Sequence, residues 1–287
     1  MSTLVTRRSF VTACTAAFAT TQLVQLPTIT HANTATPAAD LQLGIQLYSL
    51  RGFDVSTALK HAAKIGFKQV EFYSGMLPLD STPEQLTAMK KQVADLGMTI
   101  SAHGVNGFGS DEKANRQTFE FAKELGIKNI AADPDPSSFD QLDELVKEFD
   151  IRIAIHNHGP GHRYNKVVDV LRAIENHDER IGACADLGHF IRSGENATEV
   201  VRLLKGRLYG IHLKDFAEMK AQAQGVILGK GHLDVQGVID ALLAVEFPSD
   251  GALSLEYEEN PDDPIAEIAE CYQIAAAAIE RALSARQ

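Results

Sequence analysis

Eight short apolar runs alternate with helix-patterned segments across residues 42–287, mostly about 23 to 31 residues apart, and this regularity predicts an α/β fold, a parallel (β/α)8 TIM barrel. Two further observations agree. Within the runs, large aliphatic side chains fall on one parity and small or polar ones on the other. Gly66, Gly97 and Gly126 each follow a helical segment, where a C-cap glycine belongs. A doubly wound open sheet shares the local pattern, but eight regular units favour closure.

The elements follow in order. The strands are expected at 43–50, 67–73, 98–105, 127–133, 151–157, 181–187, 208–215 and 251–257. The helices between and after them are expected at 57–64, 83–96, 113–125, 138–149, 165–176, 197–205, 234–245 and 263–285. In the first four strands the polar parity carries Gln46 and Tyr48, Gln69 and Glu71, Ser101 and His103, then Asn129 and Asp133. In the fifth it carries Ala154, His156 and His158, opposite Ile153 and Ile155. The sixth has Cys184 and Asp186; the seventh has Gly210, His212 and Lys214 against Ile211 and Leu213; the eighth has Ala252, Ser254 and Glu256 against Leu253 and Leu255. The aliphatic parity is expected to face the helix layer and the polar parity the barrel axis. Charged residues then gather at the strand C-terminal ends, the active-site end of this architecture. One connection is long, 216–250, and its Gly-rich segment 225–231 is a candidate lid.

Ahead of the barrel, Thr6-Arg7-Arg8-Ser9-Phe10-Val11 precedes an Ala/Thr-rich apolar run, and no acid occurs before Asp40. This order matches a twin-arginine signal peptide over residues 1–32, with a small-residue exit near Thr30-His31-Ala32 and a polar linker at 33–41. The expected location is therefore periplasmic or otherwise exported. Composition excludes other classes. At 45% hydrophobic and 23% charged residues, the 287-residue chain is globular rather than disordered. A net charge of −11 argues against nucleic-acid binding. No apolar stretch is long enough to span a membrane, so no stable membrane anchor is expected. Three cysteines, none in CxxC spacing, exclude a disulfide framework; Cys184 and Cys271 read as buried small residues.

Seven of the ten histidines, His103, His156, His158, His162, His189, His212 and His232, lie at or just after strand ends. Imidazoles and carboxylates converging on one mouth from several strands make metal-ligand chemistry. Asp186, His212 and Glu256 hold equivalent positions on three neighbouring strands.

Seven segments, in order, carry a family resemblance. They are Gly44-Ile45-Gln46-Leu47-Tyr48-Ser49-Leu50-Arg51, Val70-Glu71-Phe72, Ser101-Ala102-His103, Ile155-His156-Asn157-His158-Gly159, Asp186-Leu187-Gly188-His189, His212-Leu213-Lys214-Asp215 and Leu255-Glu256. Residues 42–284 thereby resemble the xylose-isomerase-like barrels of the sugar phosphate isomerase/epimerase superfamily. The resemblance implies one divalent metal, often Mn, Mg, Co or Zn, held by a Glu on strand five, an Asp on six, a His on seven and a Glu on eight. Carried over, the last three are Asp186, His212 and Glu256.

Strand five departs from that pattern. Where the common pattern has Glu-Asn-His-Gly, this chain has His156-Asn157-His158-Gly159. Alignment puts His156 in the ligand position, while parity also allows His158. In the two-carboxylate epimerases the strand-five Glu is one of two bases facing each other across the substrate, so this chain cannot run that mechanism unchanged. An imidazole there removes a negative charge and shifts preference toward Mn, Zn or Co over Mg.

The resemblance implies an isomerase or epimerase that removes a proton next to the carbonyl of a small carbohydrate, with a homodimer common among such barrels. Candidate bases are Glu256, His158 and Glu71. Candidate substrate contacts are His189, Lys214, His103, Gln46 and His232, the last from the glycine-rich loop. Lys214 has a plainer reading as a salt-bridge partner of Asp215 or Asp186, and Glu71 as a partner of Arg51 or Lys214. A lyase or hydratase acting on keto-sugar glycosides or inositol-like ketones is the alternative, favoured by export and by the missing strand-five Glu. A non-catalytic sugar-binding barrel is a third reading. The related apurinic-site endonucleases fit neither the charge nor the expected export.

Overall fold

The structure, a computed structural model, describes residues 41–286. The expected signal peptide lies outside these residues, as does the linker apart from Leu41. Seven strands come first: β1 (Leu43–Gln46), β2 (Gln69–Phe72), β3 (Thr99–Phe108), β4 (Asn129–Pro134), β5 (Arg152–His156), β6 (Ile181–Asp186) and β7 (Leu208–Leu213). A small antiparallel pair follows, β8 (Asp215–Phe216) with β9 (Gly225–Val226), and then β10 (Ala252–Leu255). Strands β1–β7 and β10 form a closed parallel barrel in the order β1-β10-β7-β6-β5-β4-β3-β2. The predicted (β/α)8 barrel is therefore the fold.

The helices are α1 (Val55–Ile65), α2 (Pro83–Asp95), α3 (Glu112–Leu125), α4 (Phe139–Phe149), α5 (Val167–Ile174), α6 (Leu187–Arg192), α7 (Ala197–Leu203), α8 (Val235–Ala244) and α9 (Ile265–Ser284). Side chains of Asp54, Thr82, Asp111, Asn196 and Asp234 accept backbone N–H groups at the starts of α1, α2, α3, α7 and α8. Gly126 closes α3 in the left-handed conformation, φ 83°. The aliphatic parity packs where expected: Ile45, Val70, Phe72, Ile130, Ile153, Ile155, Ile211, Leu213, Leu253 and Leu255 are buried in the core between strands and helices. On the axis the fill is small. A β-carbon at Gly210 would stand 2.8 Å from Cys184 Sγ, so only glycine lets the two strands close there. Ala131, Ala154 and Cys184 form the barrel floor, with Tyr209 packed against them.

Three local differences bear on the site. The first strand stops at Gln46, because the Gln46 side chain accepts the Tyr48 N–H and turns residues Leu47–Leu50 into a 3-10 helix. Strand β3 carries a bulge: its register with β2 shifts between Val70 and Glu71, so Glu71 pairs with Ala102 and Phe72 with His103. A six-residue helix, α6, follows β6 directly and was not expected. It is too short to show helical periodicity, and Asp186 caps it by accepting the His189 N–H.

The candidate lid is pinned. Asp215, 1% exposed, accepts the backbone N–H groups of Phe216, Gly229, Gly231, His232 and Leu233 at 2.8–2.9 Å. The connection is thus a collar fastened to the end of β7. Among the described residues, no helix is long and apolar enough to cross a membrane.

Candidate active site

Four side chains from four consecutive barrel strands meet at the C-terminal mouth. His156 ends β5, Asp186 ends β6, His212 lies on β7, and Glu256 follows β10. One donor atom of each lies within 4.8 Å of the other three, and all four residues are buried. His212 Nδ1 is 3.1 Å from His156 Nε2 and 3.2 Å from Glu256 Oε2. Asp186 Oδ2 is 3.7 Å from His156 Nε2 and 3.9 Å from His212 Nδ1.

The backbone holds these groups in place. Asn157, fully buried, clamps Asp186 by accepting its N–H at 2.8 Å and donating to its carbonyl at 3.0 Å. Asp186 spends Oδ1 on the α6 cap, which leaves Oδ2 for the cluster. The Glu256 N–H donates to the Leu213 carbonyl, extending the ladder one residue past β10. Behind His212, both oxygens of Glu71 lie 3.1 Å from Nε2, and Ser254 Oγ donates to Glu71 Oε2 at 2.7 Å. Glu71 thus takes the His212 Nε2–H and leaves Nδ1 as the ring atom turned toward the cluster, the usual outer-shell arrangement for a ligating histidine.

Lys214 sits over the cluster and donates to Asp186 Oδ2 (3.1 Å), Glu256 Oε2 (2.8 Å) and the half-exposed Glu258 Oε1 (2.8 Å). Burial works to discharge Lys214, but Asp186, Glu256 and Glu258 outweigh it and keep the ammonium charged. Burial pushes Glu256 up, yet Lys214 and His212 hold it well below the usual carboxylate range. Burial and then His212 depress His156 well below the ordinary histidine value. For His212 burial acts downward, but Cys184, Glu71 and Glu256 raise it well above that value.

A divalent cation fits this donor set. Two imidazole nitrogens and two carboxylate oxygens converge, with the excess of negative charge that a cation requires. Metal–ligand bonds of about 2.0–2.2 Å at tetrahedral angles place neighbouring donors roughly 3.3–3.6 Å apart. The observed separations of 3.1–3.9 Å bracket that range.

Above the cluster rises a wall of rings. His158 packs on His156 with centroids 4.8 Å apart. It also stacks on His162 at 4.9 Å and on His189 at 5.9 Å, and His189 stacks on Phe216 at 6.3 Å. Burial and then Lys214 push His189 down to about 2, and burial lowers His158, so both rings are neutral near pH 7.

The structure brings His156, His158, Asp186, His189, His212, Lys214 and Glu256 together, and it corrects three other expectations, those for Glu71, His103 and Gln46. Glu71 is inward but fully buried behind His212, bonded to neither Arg51 nor Lys214, and so positions a ring rather than facing substrate. His103 does not reach the mouth. The β3 bulge flips its parity, so its ring packs on Phe121 of α3, with Nε2 on the Leu77 carbonyl and Nδ1 on Asn106. Gln46 is spent on the Gly104 carbonyl and the Tyr48 N–H. His232 is exposed on the pinned collar, held through its backbone N–H. Of the plainer readings, Lys214 does pair with Asp186, whereas Asp215 serves the collar. Both Cys184 and Cys271 are free and buried. Sequence reasoning missed Asn157, Ser254 and Glu258. Parity already put Ser254 in the inward row of Glu256 without giving it a role, and one more step along that row reaches Glu258.

The sequence profile of the xylose isomerase-like TIM barrel family matches residues 59–274. Among curated proteins, the chain is 25% identical over 171 residues to 3-oxo-isoapionate decarboxylase of Pectobacterium atrosepticum, covering 53% of this chain and 60% of that protein. It is 24% identical over 232 residues to inosose dehydratase of Geobacillus thermodenitrificans, covering 74% and 72%. Among solved structures, a D-tagatose 3-epimerase-like protein superposes with a TM-score of 0.70 at 16% identity, over 86% of this chain and all of that one. This last likeness is one of fold.

Proposed function

The chain belongs to the xylose isomerase-like TIM barrel family, and from that premise we propose that it is a divalent-metal-dependent lyase of a small keto-sugar or keto-polyol. The proposed reaction removes the proton next to a carbonyl and expels a β-oxygen substituent. One observation carries this choice over an epimerase. The strand-five position holds His156, whose Nε2 is turned into the cluster, so no carboxylate stands on that strand to act as the second base. Inversion at carbon needs a base on each face of the substrate. Here the free imidazoles, His158 and His189, stack on one another along one wall. Elimination needs only a base and an acid, which one ring on that wall can supply in turn, taking the proton and then giving it back to the leaving oxygen. Relatives named as a dehydratase and a decarboxylase support the lyase reading.

The ligands in this proposal are His156, Asp186, His212 and Glu256. A divalent cation held there supplies Lewis acidity toward a carbonyl oxygen, worth several kcal/mol of transition-state stabilisation. The nitrogen-rich donor set favours Mn, Zn or Co over Mg. His158, neutral and half-buried, takes the α-proton. The C–H electron pair becomes the new C–C π bond as the β C–O bond breaks. His158, now an imidazolium, returns that proton to the departing oxygen, while neutral His189 stacks on it and steadies the ring. Lys214 holds the developing oxyanion with the proton it now gives to half-exposed Glu258, since releasing that contact uncovers no buried carboxylate. Export through the twin-arginine pathway belongs to the same proposal, because that route carries folded proteins with a cofactor already inserted.

The test is incubation of metal-loaded protein with an inosose and, separately, with the keto-sugar acid 5-keto-D-gluconate in heavy water, followed by proton NMR. Loss of the α-proton signal with appearance of an unsaturated or diketone product is expected. His158→Asn should abolish both while retaining one equivalent of metal. Exchange that yields a stereoisomer would replace the lyase by the epimerase reading. With metal bound, exchange in neither direction would leave a binding barrel.

A further inference from the structure

Arg192 stands apart from the other arginines. The remaining partly buried ones all donate hydrogen bonds: Arg51 to the Glu258 carbonyl, Arg116 to Glu148, Arg152 to Asp250, Arg180 to Asp178 and Arg207 to the Ile181 carbonyl. Among the described residues Arg192 has no hydrogen bond or ion pair, and its Nε is buried without a partner. Burying a guanidinium N–H without a partner is costly, which points to a partner from outside the chain.

Its position says where that partner sits. Arg192 ends α6, three residues beyond His189, and therefore lies on the same helix face about 4.5 Å further along the axis. The guanidinium carbon is 5.1 Å from the centroid of Phe216, the ring that also stacks on His189. Its Nη2 lies against Gly159, directly after His158; a β-carbon there would stand 2.5 Å from it. The planar fork is thus fixed beside the histidine wall, one helical turn beyond the cluster, with its donors unspent.

We propose that Arg192 anchors an oxyanion, a carboxylate or a phosphate, at the end of the substrate remote from the cluster, so that the substrate is an acidic carbohydrate rather than a neutral one. The inference rests on the reading of the mouth as a carbohydrate site and adds the substrate's charge. A guanidinium held flat suits bidentate recognition of either group.

Calorimetric titration of the full chain in the presence of Mn²⁺ tests this with three ketoses: neutral D-fructose, the carboxylate 5-keto-D-gluconate, and D-fructose 6-phosphate. At least tenfold tighter binding of one anion than of fructose is expected, and which anion prefers the site identifies the oxyanion. Arg192→Gln should erase that preference while fructose binding stays within twofold, and Arg192→Lys should keep part of it. Equal binding of all three by the wild type overturns the proposal. So does an Arg192→Gln variant that weakens all three alike, the mark of a packing role. If metal binds but none of the three ketoses does, the carbohydrate reading itself fails. If fructose alone binds, only the anchor fails.

Discussion

Replacing Glu71 by Gln isolates the part of the proposed metal site that lies behind its ligands. The change is isosteric and removes one negative charge. Both Glu71 oxygens are 3.1 Å from His212 Nε2, and Ser254 Oγ donates to one of them. In the variant the amide oxygen can still accept from His212 and the amide nitrogen can donate to Ser254, so the fold has no reason to rearrange. What is lost is the charge that fixes His212 with its proton on Nε2 and its Nδ1 turned toward the cluster. Outer-shell changes of this kind cost ten- to a hundredfold in metal affinity, or about 1.4–2.7 kcal/mol. Competition of the protein against a chromophoric chelator for Mn²⁺ and Zn²⁺ reads the change, with His212→Ala as the variant that loses a ligand outright. The expected order of affinity is wild type, then Glu71→Gln, then His212→Ala. Unchanged affinity in Glu71→Gln would refute the positioning role. A loss as complete as in His212→Ala would refute it differently, because Glu71, Cys184 and His212 also offer donor atoms within 4.8 Å of one another and Glu71 would then itself be a ligand.

Two other perturbations test the frame around the site. His103 is buried and hydrogen-bonded as a neutral ring, and burial lowers its pKa below the ordinary histidine value. The unfolded chain therefore binds the extra proton first. Stability supplied above about pH 6.5 is lost as pH falls through that value, by up to about 1.4 kcal/mol at pH 5.5. Urea unfolding at pH 7 and 5.5 should show this slope in the wild type and its reduction in His103→Gln. Asp215→Ala removes the acceptor of five collar amides, so it should destabilise the protein by about 3 kcal/mol or more and open residues 217–232 to limited proteolysis. Wild-type resistance in that variant would show that the collar holds without its tether.

The barrel was legible because its signal is carried many times over. Eight βα units repeat one period, and a single misplaced boundary leaves the count unchanged. Individual site residues lack that redundancy. Parity arithmetic assumes an unbroken strand, and one inserted residue in β3 moves His103 from the axis to the helix layer without any mark in the sequence. Gln46 fails for a related reason: its side chain ends the strand on which its parity was counted. Glu71 was placed on the correct face, but parity carries no depth. The mouth-facing level and the level beneath it look alike in sequence, although one opens on the cluster and the other meets the back of His212. Arg192 lay beyond reach altogether, on a helix of six residues with no periodicity to betray it.

The consecutive pair Lys214-Asp215 shows how closely collar and cluster are joined. The two side chains leave the same strand end and serve different structures. Asp215 gathers five backbone amides of the collar, while Lys214 bridges Asp186, Glu256 and Glu258. Had Lys214 paired with Asp215, the collar would lose its tether and the two cluster carboxylates would lose their ammonium. Because Asp215 is already saturated by amides, it has little left to offer Lys214, and the ammonium is directed to the mouth. There it balances only part of the charge, since Asp186, Glu256 and Glu258 each carry a carboxylate against its single positive charge. Lys214 is therefore drawn in two directions, toward the cluster oxygens and toward the rim. A cation that took over Asp186 and Glu256 would leave its donors free for a substrate oxygen. In the proposed reaction, metal binding and substrate binding at this mouth are coupled through one side chain, which the collar's own chemistry keeps available.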